Sequence, residues 1–310
     1  MKDLYSVAGI SKQAHWKRIK HQEQVLEETE QVVKIIQSIR KSHKRMGCRH
    51  MYYMDQAKSP VGRDIFEHIG LSNGFRLKRL RSIVKTTWSQ RIEYYPNLIE
   101  GKELNGINQV WQSDIFYIMS QGIHFYGVTI LDVYSRKLLA LHISKSLEAR
   151  QLEMAMKKAL RIRKSSDLTG CIFHSDRGSQ YISKIHKSML IANKMKISMC
   201  TLPQENAYVE RVQGTLKHNY IELEGLTEKN MTYIAWKTMR LYNDQRPHSS
   251  IGMINPTAFE NYISKMSISD RPQMPIYEWD HALLTKEELM NKKKKEPKKK
   301  KLPIIKVNIN

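Results

Sequence analysis

The sequence predicts an α/β protein: a mixed β-sheet flanked by helices, preceded by a small all-α region. Three strand-like segments follow one another between residues 110 and 143 with only short turns between them, which favours an antiparallel meander. Helices and short strands then alternate, which completes the order βββαβαβα. The first hundred residues, by contrast, are helical in pattern and basic.

Residues 1–55 are predicted to form an amino-terminal helical region. Its clearest helix spans residues 22–44, where one apolar stripe consists of Val25, Val32, Ile36 and Ile39. A sustained heptad repeat is not visible, so the pattern favours packing inside a small helical module over a long coiled coil.

Residues 56–95 are predicted to be a helix-turn-helix-like DNA-binding region. The pattern indicates a helix at 60–69, a turn at 70–73 and a cationic helix at 74–85. Such a second helix would lie in the major groove of DNA. The alternative is that its cations form a solvated face. The cationic residues are Arg76, Lys78, Arg79, Arg81 and Lys85.

A linker is expected at residues 96–106 and the core domain at 107–265. The remaining residues, 266–310, read as a basic, disordered tail whose lysines could tether DNA without specificity. The predicted core strands are 110–119, 124–133, 137–143, 170–173 and 196–199. The predicted core helices are 147–163, 179–193, one that begins near residue 203, and 234–242.

Three acids on three different elements are candidates for a metal site. Asp114 lies inside a strand-like segment, Asp176 follows a short strand, and Glu210 lies on an amphipathic helix. Carboxylates brought together repel one another, and the hard ions Mg²⁺ or Mn²⁺ would relieve this repulsion. Two such ions could support phosphodiester cleavage. The alternative for each acid is a surface carboxylate or a helix cap.

Several neighbouring residues have two interpretations. Asp132 could be an alternative metal ligand, but its position beside a turn favours a structural role. His174 could approach a metal or phosphate, or be a structural histidine. Lys217 lies two turns after Glu210 on the same helical face and could bind the DNA backbone. Arg211 and Lys217 could instead be solubilising charges. Asn206, one turn before Glu210, could orient the acid or touch DNA. Arg211, Arg246 and His248 are the other candidate DNA-binding residues.

Composition restricts the possible partners. A net charge of +22 and a pI of about 9.8 favour a polyanion, and nucleic acid is the simplest one. An anionic membrane is the rival, but the sequence shows no long apolar segment and no signal peptide. The three cysteines are widely spaced and match neither a disulfide framework nor a zinc site. A cytoplasmic location is therefore expected.

Four segments together resemble a known family. They are WQSDIFYI, HSDRGSQY, ENAYVERVQGTLK and LYNDQRPHSSIGMINPTAFE, in that order. This set is similar to the second-frame product of bacterial insertion sequences, a transposase with a retroviral-integrase-like catalytic core. The resemblance covers about residues 5–262. It implies a ribonuclease-H-like core with Asp114, Asp176 and Glu210 as the catalytic, metal-binding acids.

The resemblance also implies an activity and partners. The expected reaction is metal-dependent nicking at the ends of a mobile DNA element, followed by joining of the freed 3′-hydroxyl to another strand. Lys217 would contact the element end, and the helices before the core would bind DNA. The expected partners are double-stranded DNA, further copies of the chain on paired ends, and the upstream-frame protein of the element. The location would be the bacterial nucleoid.

The chain departs from the family pattern in one loop. Thirty-three residues separate Asp176 from Glu210, two fewer than the family usually has, and the shortening falls at residues 200–204. Glu205 also stands where the family usually has Asp. A loop deletion leaves the strand and the helix intact, so Glu210 is preferred over Glu205 as the third acid.

Two other functional classes remain open on the sequence. One is a non-catalytic DNA-binding protein, a truncated relative that regulates transposition. The other is a ribonuclease or junction nuclease on the same core. The intact acids argue against the regulator, and the basic amino-terminal helices argue against a plain ribonuclease.

Overall fold

A computed structural model describes residues 11–77, 95–164 and 166–276, together with Gly9. The chain divides into two compact units, residues 1–82 and 83–310, and each is described by itself. No helix in these described ranges is both long and apolar enough to cross a membrane.

The first unit contains three helices around one apolar core. The helices are α1 (Lys12–Ser42), α2 (Cys48–Met54) and α3 (Arg63–Ser72). All three contribute to the core, so the division expected at residue 55 is not a division between packed modules. Helix α1 begins ten residues before the predicted start, and the Ser11 hydroxyl caps it by accepting from the Ala14 amide at 3.1 Å. The buried core residues are Val32, Ile36, Ile39, Met46, Cys48, Met51 and Phe66.

The helix-turn-helix prediction places the turn too early. Helix α3 continues through Gly70, which is buried against Cys48. A Cβ at this position would lie only 2.7 Å from the Cys48 Sγ, so the close packing requires glycine. The helix ends where Gly74 takes a φ of 81° and the Phe75 amide donates to the Gly70 carbonyl. Residues 74–77, including the exposed Arg76, are not helical, so the prediction of a second helix is wrong for these residues. The other predicted cationic residues, Lys78, Arg79, Arg81 and Lys85, lie outside the described residues.

The second unit is built on a five-stranded mixed sheet, which confirms the predicted fold class. The strands of the unit are β1 (Glu103–Leu104), β2 (Val110–Ser120), β3 (Ile123–Asp132), β4 (Leu138–Ser144), β5 (Ile172–Ser175), β6 (Lys196–Met199) and β7 (Met274–Pro275). The sheet order is β4-β3-β2-β5-β6. The first three strands form the antiparallel meander, and β5 and β6 run parallel to β2. This is the ribonuclease-H-like arrangement.

Helices cover the sheet, and the apolar residues form two clusters. The helices are α4 (Ala149–Ile162), α5 (Lys184–Ala192), α6 (Ala207–Asn219), α7 (Met231–Arg240) and α8 (Pro256–Ile263). One cluster includes side chains of α6, α7 and α8, and the other includes side chains of α4 and α5. The helix predicted at 179–193 is split, because a 3₁₀ turn occupies Ser179–Ile182 and Ser183 then caps α5.

The expected linker and the start of the expected tail both belong to the packed unit. Ile99 and Leu104 are buried within the linker range, and Met274 and Ile276 are buried within the tail range. Strands β1 and β7 pair with each other as a separate two-stranded sheet. This pairing joins segments about 170 residues apart, so no local sequence pattern reveals it.

Candidate active site

Strand register places two of the three predicted acids side by side. Strands β2 and β5 are parallel, and Ser113 of β2 is the register partner of Ser175 of β5. Asp114 and Asp176 directly follow this pair, so both carboxylates emerge where the β2–β5 pairing ends. Each is half-buried.

Helix α6 is attached to the same strand, and its first turn carries Glu210. The buried side chain of Gln112 donates to the Glu205 carbonyl at 2.9 Å and accepts from the Val209 amide at 3.2 Å. The Asn206 amide donates to the Ser113 carbonyl at 3.0 Å. Residues just before Asp114 therefore fix the beginning of the helix that presents Glu210.

Among the described residues, no cation compensates the two aspartates. Burial, together with the charges of Asp176 and Glu210 acting in the same direction, raises the pKa of Asp114 to about 8. Burial also raises the pKa of Asp176. Backbone amides of Ile115 (2.8 Å) and Gly178 (3.1 Å) donate to the carboxylates of Asp114 and Asp176, respectively, and offset part of the increase in their pKa. Within the described ranges, neither aspartate forms an ion pair with a lysine or arginine.

This donor set fits a divalent cation with a preference for oxygen. Carboxylate oxygens are the ligands that Mg²⁺ and Mn²⁺ favour, and a cation would offset the repulsion at Asp114. Glu210 is the exposed member, while the two aspartates are fixed by the sheet. Among the described residues, no three His, Cys, Asp or Glu side chains stand ready-made in a metal-binding group. Asp114 and Asp176 form the rigid part of the site.

Glu205, the rival third acid, has a different role. Its carboxylate is buried and accepts from the amides of Thr201 (2.6 Å) and Leu202 (3.2 Å). It therefore holds the shortened loop at residues 200–204 in place. The side chain is committed to this loop, which leaves Glu210 as the acid on the open face of α6.

Asp132 and His174 are structural. Asp132 is fully buried and accepts from the amides of Asn108 (2.7 Å) and Ser135 (3.1 Å), as a turn residue would. His174 is also fully buried, and its Nδ1 hydrogen-bonds the Ser198 hydroxyl at 2.9 Å. Burial lowers the pKa of His174 to about 4, so its ring is neutral.

The predicted DNA-binding residues of the core differ in exposure. Asn206 is only 2% exposed and its side chain donates to the Ser113 carbonyl, which favours the role of orienting the acid over contact with DNA. Arg211 is exposed, and Lys217 is partly exposed with its Nζ 4.0 Å from Glu222. Arg246 lies 3.5 Å from the Tyr220 hydroxyl, and the His248 ring packs on Tyr242 at 4.6 Å. The last four remain predictions as DNA contacts.

Gln213 supports the site and was not among the predicted site residues. Its buried side chain donates to the Thr129 hydroxyl at 3.0 Å, and that hydroxyl donates to the Asp114 carbonyl at 3.0 Å. The same amide hydrogen-bonds the Asp114 carboxylate and lowers its pKa. The sequence could have indicated this role, because Gln213 lies three residues after Glu210 and therefore on the same face of the helix.

Comparisons with known proteins identify the family of the chain. Two family models described as integrase core domain match residues 105–202 and 194–256. An insertion element IS600 uncharacterized 31 kDa protein of Shigella sonnei is 27% identical, over 85% of this chain and 100% of the relative. A transposase for insertion sequence element IS904 of Lactococcus lactis is 30% identical, over 54% of this chain and 68% of the relative.

A solved structure is also similar. The catalytic core domain of HTLV-2 integrase, in complex with magnesium, aligns with a TM-score of 0.41 and 16% identity, over 50% of this chain and 97% of that one. The family models and the bacterial relatives confirm the resemblance that the four motifs indicated. The chain belongs to the insertion-sequence transposases that carry an integrase core.

Proposed function

We propose that the chain catalyses metal-dependent cleavage of DNA at the ends of a mobile element and then transfers the freed 3′-hydroxyl to another strand. The observation that carries this proposal is the pair Asp114 and Asp176. They directly follow the register partners Ser113 and Ser175 of the parallel strands β2 and β5 and, among the described residues, form no ion pair with a lysine or arginine. A purely structural pair of buried acids would be expected to have cationic partners in addition to hydrogen bonds.

Each acid has a role that follows from its position. Asp114 and Asp176 are the fixed ligands of Mg²⁺ or Mn²⁺, and Glu210 is the third ligand on the exposed face of α6. The metal, as two ions, would supply activation of a water or 3′-hydroxyl and stabilisation of the leaving oxygen. Gln112 and Gln213 position this set through the hydrogen bonds described above.

The DNA would lie along the open face of α6. Arg211 is exposed beside Glu210, and Lys217 follows two turns after the acid. Between them, a Cβ placed on Gly214 would meet no atom of another segment within 4 Å, so this part of the helix surface is open. Arg211 and Lys217 are placed to contact the DNA backbone, with Arg246 and His248 as further candidates. The net charge of +22 supports a polyanionic substrate.

The names of the relatives support a wider setting. Transposases act on element ends, so the partners proposed here are double-stranded DNA and further copies of the chain on paired ends. The upstream-frame protein of the element is a further proposed partner. The corresponding location is the bacterial cytoplasm, on the nucleoid.

Glu210→Gln tests the catalytic proposal. The substrate is a labelled duplex carrying the terminal repeats that flank the coding segment, incubated with Mg²⁺ or Mn²⁺. We expect the variant to lose nicking by at least about 100-fold, because it removes a ligand charge, while duplex binding in a gel shift stays unchanged. Glu228→Gln is the matched control, since Glu228 forms only an exposed ion pair with Lys145.

Unchanged nicking by the Glu210 variant would contradict the assignment of the third acid. If the wild-type chain binds the duplex but never nicks it with either metal, a non-catalytic DNA-binding regulator is the better description. Cleavage of RNA hybrids or branched DNA in preference to element ends would favour the nuclease class instead.

A further inference from the structure

The backbone pairing between β2 and β5 ends one residue before the two aspartates of the site. Ser113 and Ser175 are the last register partners, so in the described part of the chain this ladder has no pair at the level of Asp114 and Asp176. The residues that hold metal ligands in place contribute to metal affinity alongside the ligands themselves. Contacts outside the ladder therefore help to fix the separation of the two carboxylates.

The turn after β5 fixes the orientation of Asp176. Its carboxylate accepts from the Gly178 amide at 3.1 Å, and the Gly178 carbonyl accepts from the Tyr181 amide at 3.1 Å. A Cβ on Gly178 would lie 3.0 Å from the Asp176 Oδ1 and 3.3 Å from the ring of Tyr181, so the turn packs closely against both side chains. Asp176, Gly178 and Tyr181 thus form one compact turn.

Tyr181 connects this turn to the strand that carries Asp114. Its side chain is only 1% exposed, and its hydroxyl lies 3.1 Å from the Oγ of the fully buried Ser113. Burial, together with the charges of Asp176 and Asp114 acting in the same direction, raises the pKa of the Tyr181 hydroxyl. The hydroxyl therefore lies near both acids as well as beside Ser113.

We propose that Tyr181 is a positioning residue for the metal site: its hydrogen bond to Ser113 sets the separation of Asp114 and Asp176, and with it the affinity for Mg²⁺ or Mn²⁺. This inference rests on the proposed function, because it takes the two aspartates as the metal ligands. Ser113 directly precedes one ligand, and Tyr181 belongs to the turn that orients the other. The bond therefore joins the two segments that carry the ligands.

A purely structural role is the alternative, because the ring of Tyr181 belongs to the apolar core. Its centroid lies 6.3 Å from that of Phe173 and 5.9 Å from that of His186. A phenylalanine would keep these ring contacts and would avoid the cost of burying a hydroxyl. The hydroxyl is thus the part of the side chain that core packing does not explain.

Tyr181→Phe in the full chain tests the proposal, because it keeps the ring and removes only the hydroxyl. We expect the affinity for Mn²⁺, measured from the paramagnetic resonance signal of free Mn²⁺, to fall about 10-fold. Tyr134→Phe is the matched control, since the buried Tyr134 hydroxyl donates to the Pro272 carbonyl at 2.9 Å and this contact includes no residue of the site. The control should keep the Mn²⁺ affinity of the wild type.

A double-mutant cycle separates this hydrogen bond from general loosening of the core. Ser113→Ala removes the other partner of the bond, so it should weaken Mn²⁺ binding as Tyr181→Phe does. The double variant should bind Mn²⁺ no more weakly than either single variant, because both changes remove the same bond. Circular dichroism checks folding, and Ser113→Ala carries the test if Tyr181→Phe does not fold.

The outcomes distinguish this proposal from the proposed function. Equal Mn²⁺ affinity in Tyr181→Phe and Tyr134→Phe, or additive losses in the double variant, would overturn the positioning role while the metal site itself stands. If the wild type shows no Mn²⁺ binding that Asp114→Asn removes, the metal site fails, and the positioning role fails with it.

Discussion

At the scale of single residues, partners distinguish the acids of the site from the acids of the scaffold. Asp114 and Asp176 have raised pKa values and no counter-cation in the described ranges. Glu260 is also largely buried, but although burial raises its pKa, bonds from Arg163 and Lys137 bring that pKa below its ordinary value. A buried acid that costs stability because it has no cationic partner is the kind of residue expected at a functional site.

The first prediction follows from this contrast. Asp114→Asn should stabilise the metal-free protein by about 1–3 kcal/mol, because it removes a carboxyl that burial and Asp176 disfavour. The same variant should lose strand cleavage. Thermal or urea unfolding in the presence of a chelator measures the stability.

Glu260→Gln is the matched control for that measurement, because it removes an acid whose partners are in place. It should destabilise the protein. A loss of stability in Asp114→Asn as large as that in Glu260→Gln would contradict the argument.

A second residue-scale prediction concerns His186. Its ring packs on Phe173 at 4.8 Å and on Tyr181 at 5.9 Å, and neither ring nitrogen has a hydrogen-bond partner in the described part of the chain. Burial lowers the pKa of His186 to about 4. The unfolded chain therefore binds this proton more readily, and stability falls as the pH drops below about 6.5 toward 4.

His186→Phe should remove this contribution. We expect the variant to be more stable at neutral pH by about 1–2 kcal/mol and to lose about 1.4 kcal/mol less per pH unit between pH 6 and 4.5. Urea unfolding at a series of pH values gives both quantities. Parallel stability profiles for the variant and the wild type would show that His186 does not carry the acid sensitivity.

At the scale of elements, the site depends on how α6 is joined to β2. The helix does not reach the sheet through apolar contacts alone, since Gln112 and Asn206 make three buried hydrogen bonds between the strand and the beginning of the helix. These bonds involve residues next to Asp114 and Glu210. The distance between the strand acid and the helix acid is therefore set by polar contacts at one end of α6.

Gln112→Leu should disturb this junction. The change leaves the Glu205 carbonyl and the Val209 amide without the Gln112 partner, which we expect to cost about 1–3 kcal/mol of stability. Cleavage should fall more than duplex binding does, because the helix acid is displaced while the exposed cations remain. Single-turnover cleavage and gel shifts of the same preparation separate the two effects, and equal losses in both would contradict a positioning role.

At the scale of the whole second unit, a buried ionic network joins distant segments. Arg163 follows α4 and bonds Glu260 of α8 and Asp132 at the end of β3. Lys137 and the Ser135 hydroxyl add further bonds to Glu260 at 2.9 and 2.7 Å. The network connects the antiparallel meander to helix α8, which follows the three site acids in the chain. It thereby helps to hold the second unit together.

Arg163→Met should therefore be strongly destabilising. It leaves two buried acids without their main cation, and we expect a loss of about 3–5 kcal/mol of stability. Lys157→Met, on the helix α4 that Arg163 follows, is the control, because Lys157 forms an exposed pair with Glu153 and should change stability by less than about 1 kcal/mol. Similar unfolding midpoints for the two variants would contradict a structural role for the network.

The sequence by itself determined the order of strands and helices in the core, the family, and which three acids to test. These follow from local periodicity and from motifs, which are properties of short segments. The strand at residues 196–199 is identical in the prediction and the structure. The helix end at Gly74 was missed because Gly70, an equally good turn signal, serves close packing instead.

Only the tertiary structure decided which acids have partners and which lie together. The register of β2 with β5, the commitment of Glu205 to its loop and the pairing of β1 with β7 are contacts between residues far apart in the chain. The exposure of most of α1 is also decided by packing, because an apolar or charged stripe in the sequence does not show which other segment covers it. Such contacts depend on how elements pack, which no short segment of sequence encodes alone.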